Sequence, residues 1–334
     1  MKIAIVRLSA MGDIVHSMIA LQFIKQNYPD CQIDWLIEQG FAELLNHNPD
    51  INKTLTVHLK SLKHHKSALF KEIAKVRHYA KQGHYDLVID AQGLIKSAVT
   101  ARLLGKKTAG FDKYSVREKQ AAWFYNIKVN SAYSNNTIDR NAAVLSEPLG
   151  FSISHDEILN KQPFLFYQNE NPVIYEYLSQ SQKNIILVIG STWESRNYPT
   201  EKFINVANAL KQNCLVVWGN ESEKQKAEFM ADKSQYIKVM PRLDLNSLKA
   251  LIDKSDLLIG NDTGPTHIAW GLNRPSITLF GCTPVSRVYQ TDINKVLKSS
   301  SVVNPLKLNK QDFSIREIDE QEVIKLAESL LVYP

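Results

Sequence analysis

The sequence predicts an α/β protein made of two doubly wound, parallel-sheet domains. Three observations predict it. Short β-branched runs alternate with longer segments of helical apolar spacing, the pattern of strands joined by crossover helices. The alternation lapses in polar sequence and restarts near residue 185. The length, 334 residues, fits two domains at about 150 residues each.

Lys2–Leu8 (KIAIVRL) reads as a strand, closed by the small-residue turn Ser9–Asp13. Ile14–Asn27 carries apolar residues on most of its surface, which predicts a largely buried helix. Gln32–Ile37 and Thr54–His58 read as strands and Ser67–Lys81 as a helix. Leu87–Asp90 is a short apolar strand ending on an acid, with Gly93 and a helix to about Leu104 behind it. Polar stretches follow at Asn130–Asn141 and Gln168–Pro172, and a linker is expected near 160–172. Strands then recur at Ile185–Gly190, Leu215–Gly219, Ile237–Met240, Leu257–Gly260 and Ser276–Gly281, with helices between, one from Thr200. Asp319–Leu331 is the last helix.

Composition is that of an ordinary globular chain, 44% apolar and 22% charged, which excludes disordered and low-complexity classes. Three scattered cysteines (31, 214, 282) support neither a disulfide framework nor a zinc site and fit a reducing compartment. No apolar run approaches the roughly 18 residues of a membrane span, and Arg7 and Asp13 interrupt any signal-peptide core. A cytoplasmic protein is expected, with the option of lying on a membrane.

Net charge is +6 but unevenly placed. Lys53–Lys119 holds 15 Lys/Arg against five Asp/Glu, a balance of +10, leaving −4 for the rest. The densest part, Lys53–Lys81, has eight basic residues, one acid and four histidines. Such a one-sided field is either a solvated face or an attractor for an anion: nucleic acid, an acidic membrane surface or a phosphorylated substrate.

Ligands of open parallel sheets bind beyond the carboxyl ends of the strands. Four loops meet that rule: Ser9–Asp13, Asp90–Ser97, Ser191–Pro199 and Asn261–His267. The last opens a helix with Gly264 and Pro265, so free backbone N–H groups and a positive dipole end suit a phosphate. Asp262 or Thr263 could equally be a helix cap. Ser191–Pro199 offers hydroxyls and the Arg196 guanidinium. Asp13 is placed either as a general base or as the cap of the following helix. The glycines contain no G-x-G, so the dinucleotide fingerprint fails, and a nicotinamide oxidoreductase with it. A P-loop, H-E-x-x-H, G-x-S-x-G and Asp-x-Asp are also missing.

Five ordered segments resemble the lipopolysaccharide heptosyltransferases, glycosyltransferase family 9: Arg7–His16, Asp90–Ala98, Gly110–Glu118, Gly190–Pro199 and Asp262–His267. The likeness spans nearly the whole chain, and the first three segments look like the branch that adds the first heptose to Kdo. A branch acting on an already heptosylated core is the alternative. A basic nucleic-acid-binding protein is the alternative of another class, although its recognised motifs are missing.

The resemblance implies a GT-B fold, two Rossmann-like domains facing a cleft. Residues 1–165 would take the acceptor and 173–318 ADP-heptose, with helix 319–334 packing toward the first domain. It implies an inverting transfer from ADP-heptose to Kdo-lipid A, without metal or cofactor, at the cytoplasmic face of the inner membrane, to which the enzyme binds peripherally. Asp13 would be the base and Arg196 would stabilise the leaving diphosphate. That position is Lys in the family; Arg keeps the charge and adds a fork. Ser191, Thr192, Leu243, Asp262, Thr263, Gly264, Pro265, Thr266 and His267 would complete the donor site. Glu223 would contact the nucleoside, with Glu221 as the alternative. Ser9, Ala10, Gly12, Lys60, Lys63, Gln92, Gly93, Lys96, Arg117 and Arg140 would bind the acceptor, and His64, His65 and Lys66 could extend that surface.

Overall fold

The computed structural model describes residues 1–59 and 68–332. The chain forms two compact units, Met1–Phe166 and Tyr167–Pro334.

The first unit contains β1 (Lys2–Val6), α1 (Met11–Met18), α2 (Ala20–Asn27), β2 (Gln32–Glu38), β3 (Lys53–Val57), α3 (Ala68–Gly83), β4 (Leu87–Asp90), α4 (Ile95–Leu104), β5 (Thr108–Phe111), β6 (Ile127–Val129), α5 (Thr137–Ser146) and α6 (His155–Leu159). Its six strands run in the order β3-β2-β1-β4-β5-β6, all parallel. Ile3, Ala4, Ile5 and Val6 are fully buried, as a central strand covered on both faces requires.

The second unit contains α7 (Val173–Tyr177), β7 (Asn184–Val188), α8 (Thr200–Leu210), β8 (Asn213–Val217), α9 (Glu221–Lys233), β9 (Ile237–Val239), α10 (Leu245–Asp253), β10 (Leu257–Asn261), α11 (Gly264–Gly271), β11 (Ser276–Phe280), β12 (Asn294–Lys298) and α12 (Glu320–Leu331). The strand order is β12-β11-β10-β7-β8-β9, again parallel throughout. It repeats the winding of the first unit. Helix α12 packs on α8 and places Val323, Ile324, Ala327 and Leu330 in the second unit's core beside Phe203 and Ile277.

Several elements differ from the sequence reading. The helix expected over 14–27 begins at Met11 and is divided at Ile19. The polar stretch 130–141 conceals the start of α5, capped by the Asn136 side chain and anchored by Ile138, Ala142 and Leu145. Strand β5, TAGF, is short and contains Gly110, against which the Tyr125 ring packs so closely that a Cβ would lie 2.5 Å from it. Strand β12 is an edge strand with partly exposed lysines, a weak signal. The polar segment 168–172 is bound to α10: Ser247 Oγ accepts the Asn171 N–H at 2.9 Å, and Asn246 Nδ2 donates to the Gln168 carbonyl at 2.9 Å.

In each sheet the winding reverses at one place, between β1 and β4 in the first unit and between β7 and β10 in the second. Chain leaving adjacent strands at such a point diverges to opposite faces and leaves a crevice at the carboxyl ends. The four loops picked out in the sequence are the ones that leave these four strands.

Candidate active site

At the first unit's reversal, Arg7 follows β1 and is buried. It donates to the Ala91 carbonyl of the loop after β4, and its guanidinium lies 3.2 Å from Asp13 Oδ1. Ala10 occupies the N-cap of α1, and Asp13 is the third helical residue, its Oδ2 3.5 Å from the Ala10 N–H. Asp13 is thus fixed from behind by Arg7 while its side chain remains 37% exposed. A carboxylate that is both oriented and reachable can take a proton from a bound hydroxyl.

The loop after β4 is held by Asp90, fully buried, which accepts from Tyr125 Oη at 2.6 Å, Ser97 Oγ at 2.7 Å and the N–H groups of Gln92 and Gly93. Burial pushes its carboxyl above the ordinary range, and these four donors oppose that shift. Gln92 accepts from the Leu8 N–H at 2.8 Å and so ties the two loops together. Gly93 has φ +70°, and a Cβ there would stand 2.6 Å from Val116 Cγ1. Arg117 follows Val116, is exposed, and precedes Glu118, whose carboxylate accepts the Ile95 N–H. Lys96 pairs with Glu38 at 3.2 Å.

Arg140 comes from α5. Its guanidinium lies over the rings of Tyr133 and Phe111, at 4.5 and 5.1 Å, and donates to the Ser115 carbonyl. Burial lowers its pKa; the charge of Arg7 adds to that effect and Asp13 opposes it. Arg140, Arg7 and Asp13 therefore share one electrostatic neighbourhood. Ser9 and Gly12 are half-buried and Ala10 exposed on the β1–α1 turn. Lys60, Lys63, His64, His65 and Lys66 lie outside the described residues.

At the second unit's reversal, Asn261 ends β10 with no exposure. Its side chain accepts from the Tyr198 N–H at 2.9 Å and donates to the Ile189 carbonyl at 2.9 Å, joining the loop after β7 to β10. Asp262 is 1% exposed and is held by Arg196, 3.0 Å from Oδ2, and His267 Nε2, 3.2 Å from Oδ1. Burial alone would raise its pKa; the charge of Arg196, the His267 bond and the charge of Arg287 outweigh burial and hold the carboxyl well below the usual range. Asp262 is an enclosed carboxylate held by Arg196 and His267, placed to orient them and shielded from solvent.

Thr263 is the N-cap of α11, yet its side chain makes no capping bond, and Pro265 fills the first turn. The cap reading of Asp262 therefore gives way to its pairing with Arg196 and His267. Thr266 Oγ1 donates to the Asn261 carbonyl at 2.7 Å, which bends the loop into the helix. Ser191 Oγ donates to the Trp193 carbonyl at 2.8 Å, and Thr192 is exposed on the same turn. Arg196 also stacks over Trp193 at 5.6 Å. Glu223 accepts the Gly219 N–H at 2.7 Å and lies against Gly190, where a Cβ would meet Oε1 at 2.1 Å. Glu221 is instead exposed and pairs with Lys224. Glu223 is thus the one of the two whose carboxylate lies at the ends of β7 and β8, beside Gly190 and Gly219. Leu243 is half-buried in the loop after β9, close in sequence to Met240, whose carbonyl accepts from Trp218 Nε1.

Three contributors lacked an assigned role in the sequence reading. Arg7 gave a signal, a charge at the end of an apolar strand, and so did Asn261, a buried amide ending another. Arg287, in the turn after β11, gave none. Among the described residues no group of three or more His, Cys, Asp or Glu is arranged to hold a metal ion. Among the same residues no helix is long and apolar enough to cross a membrane.

Two doubly wound units, each with a charged pair at its reversal and one with a helix start open to an anion, form a fold and site suited to a phosphate-bearing ligand. The profile of glycosyltransferase family 9 (heptosyltransferase) matches residues 73–313, and the chain belongs to that family. Lipopolysaccharide heptosyltransferase 1 of Campylobacter coli is 35% identical, covering 99% of both chains. Its namesake from Escherichia coli K12 is 26% identical over 93% of this chain and 97% of its own. Among solved structures, E. coli heptosyltransferase WaaC with ADP-2-deoxy-2-fluoro heptose aligns with a TM-score of 0.79 at 23% identity, covering 98% of this chain and 99% of its own. E. coli ADP-heptose lps heptosyltransferase II aligns at 0.77 and 18%, over 99% of each. These two alignments establish the fold, and the oxidoreductase and nucleic-acid readings fall away with the family match.

Proposed function

We propose that this heptosyltransferase moves heptose from an ADP-heptose donor, bound at the second unit's reversal, to a Kdo hydroxyl of a membrane-borne Kdo-lipid A acceptor, bound at the first. The observation that carries the division of roles is the contrast between two carboxylates. Asp13 is oriented by Arg7 and reachable from solvent; Asp262 is enclosed and ion-paired with Arg196.

On this reading Asp13 takes the proton from the acceptor hydroxyl as that oxygen attacks the anomeric carbon of the heptose. The carbon–oxygen bond to the diphosphate breaks on the opposite face, so the configuration inverts, and ADP leaves with the electron pair. Negative charge grows on the diphosphate, where the N–H groups opening α11 and the Arg196 guanidinium oppose it. Asp262 keeps Arg196 aimed. Glu223 is placed for the nucleoside, and Arg117, Arg140 and Lys96 supply positive charge for the acceptor. The acceptor's lipid nature implies peripheral work at a membrane surface.

The test is transfer from ADP-heptose to Kdo-lipid A by the wild type and by Asp13→Asn, with donor binding measured in parallel. Transfer only to an already heptosylated acceptor would assign the chain to the later step.

A further inference from the structure

Helices α3 and α4 stand side by side on one face of the first unit and enclose an open groove of about 460 Å³. Leu69, Ile73 and Val76 line it from α3, at the i, i+4, i+7 spacing of one helix face. Ile95, Val99 and Leu103 line it from α4 at the matching i, i+4, i+8 spacing. Its exposure is unusual for such side chains: Leu69 is 43%, Ile95 39% and Val99 37% exposed. Phe70, which follows Leu69 on α3, is 77% exposed. Trp123 is 78% exposed on the short turn Lys119–Phe124, which also packs against α4. An open groove with this much exposed apolar lining marks a contact site.

The charge around it says what the contact is. The two helices carry six basic residues (Lys71, Lys75, Arg77, Lys81, Lys96, Arg102) and one acid, Glu72. Glu72 lines the inner wall of the groove, where it is 9% exposed and its carboxylate accepts the His58 N–H at 3.0 Å. Apolar side chains and aromatic rings set among lysines and arginines, with no exposed acid on either helix, match an anionic lipid surface.

We infer that the α3–α4 face docks the first unit on an anionic phospholipid bilayer, with the groove accepting an acyl chain and the flanking cations meeting headgroup phosphates. This rests on the reading that the acceptor is held in a membrane, and it names the surface that brings the enzyme there.

The experiment is co-sedimentation of the full chain with vesicles of phosphatidylglycerol and phosphatidylethanolamine, against vesicles of phosphatidylcholine alone. Wild type is expected to partition at least about tenfold more strongly onto the anionic vesicles, with part of the binding surviving high salt because the groove is apolar. Val99→Asp and Phe70→Ser, both at exposed positions, each lower that partition by about tenfold or more. Both keep the wild-type melting temperature and wild-type transfer to a water-soluble, deacylated acceptor. Unchanged vesicle binding in both variants overturns the inference, as does equal wild-type binding to the two vesicle types. A wild-type dimer that Val99→Asp dissociates while vesicle binding persists also overturns it, because the face would then be a self-contact. Failure of transfer to every acceptor in wild type would sink the transferase reading and leave the vesicle result standing.

Discussion

Replacing Arg196 with Ala separates what holds the donor loop together from what acts on the leaving group. In wild type the Asp262 carboxylate is 1% exposed with Arg196 at 3.0 Å and His267 at 3.2 Å. Removing one partner of a buried ion pair costs about 3–5 kcal/mol, because the remaining charge is left uncompensated. His267 and the field of Arg287 persist, which puts the cost near the lower end. At about 2–4 °C per kcal/mol for a unit of this size, the melting temperature should fall by roughly 6 °C or more. The loss depends on pH. The depressed Asp262 pKa gives wild type stability that is fully present above the unfolded carboxyl value, about 3.9, and is lost only as pH falls through the lower folded value. Without Arg196 that pKa rises, protonation relieves the buried charge, and the gap to wild type narrows as pH falls toward 4. Turnover should drop at least about tenfold, equivalent to 1.4 kcal/mol of transition-state stabilisation. Arg196→Ala combined with Asp262→Asn should recover most of the stability and none of the turnover, while Arg196→Lys should keep turnover within about tenfold of wild type. Calorimetry at pH 4 to 8 and steady-state kinetics read the two effects. Near-normal turnover in Arg196→Ala would refute the leaving-group role, and an unchanged melting temperature would refute the buried-pair argument.

Asp13→Asn is expected to abolish transfer while ADP binding stays close to wild type by titration calorimetry; retained transfer would make Asp13 a helix-turn residue only. Gly93→Ala must carry a side chain at φ +70° and meet Val116, so a loss of about 1–3 kcal/mol is expected, with a raised KM for the acceptor. Val116→Ala in the same background should recover only the steric part. Gly190→Ala drives a Cβ into the Glu223 carboxylate and should raise the KM for the donor more than it lowers kcat, an effect measurable by varying donor concentration. Lys161, nearly buried against Phe164, has its pKa pushed down to about 7 by burial. A folded value below the unfolded 10.4 penalises the folded state most below pH 7, and the penalty fades as pH rises to about 10. Lys161→Met should therefore raise the melting temperature at pH 6 and do so progressively less toward pH 10.

Alternation of strand and helix was readable because the central strands are buried on both faces and so consist largely of continuous apolar runs. That holds for β1, β7 and β10, and it fails for β5 and β12. Gly110 in β5 is demanded by the Tyr125 ring, a contact no local pattern announces, and β12 lies at a sheet edge with less apolar sequence to show. The four site loops were legible because they leave these central strands. Their internal wiring was not. Arg7 reaches Asp13 within one turn, but its other contact, Ala91, belongs to a different strand. Asp262 looks like a helix cap until Arg196 is found beside it, and Arg287 acts on it from a turn that carries no recognisable pattern. Glu221 and Glu223 look alike in sequence because what separates them is a backbone approach, Gly190 against the Glu223 carboxylate.

The repeated winding of the two sheets also sets an order of assembly. Each site joins the first strand of its sheet to the fourth, so its defining contacts close long stretches of chain: 84 residues between Arg7 and Ala91, 72 between Ile189 and Asn261. Neither site can form in a hairpin or a single strand–helix unit, and contacts of such separation come late in folding. On a ribosome the Asp13 site needs chain out to Arg140, and the Asp262 site needs chain out to Arg287. A nascent enzyme would thus hold a finished first site while half of its length was still unmade.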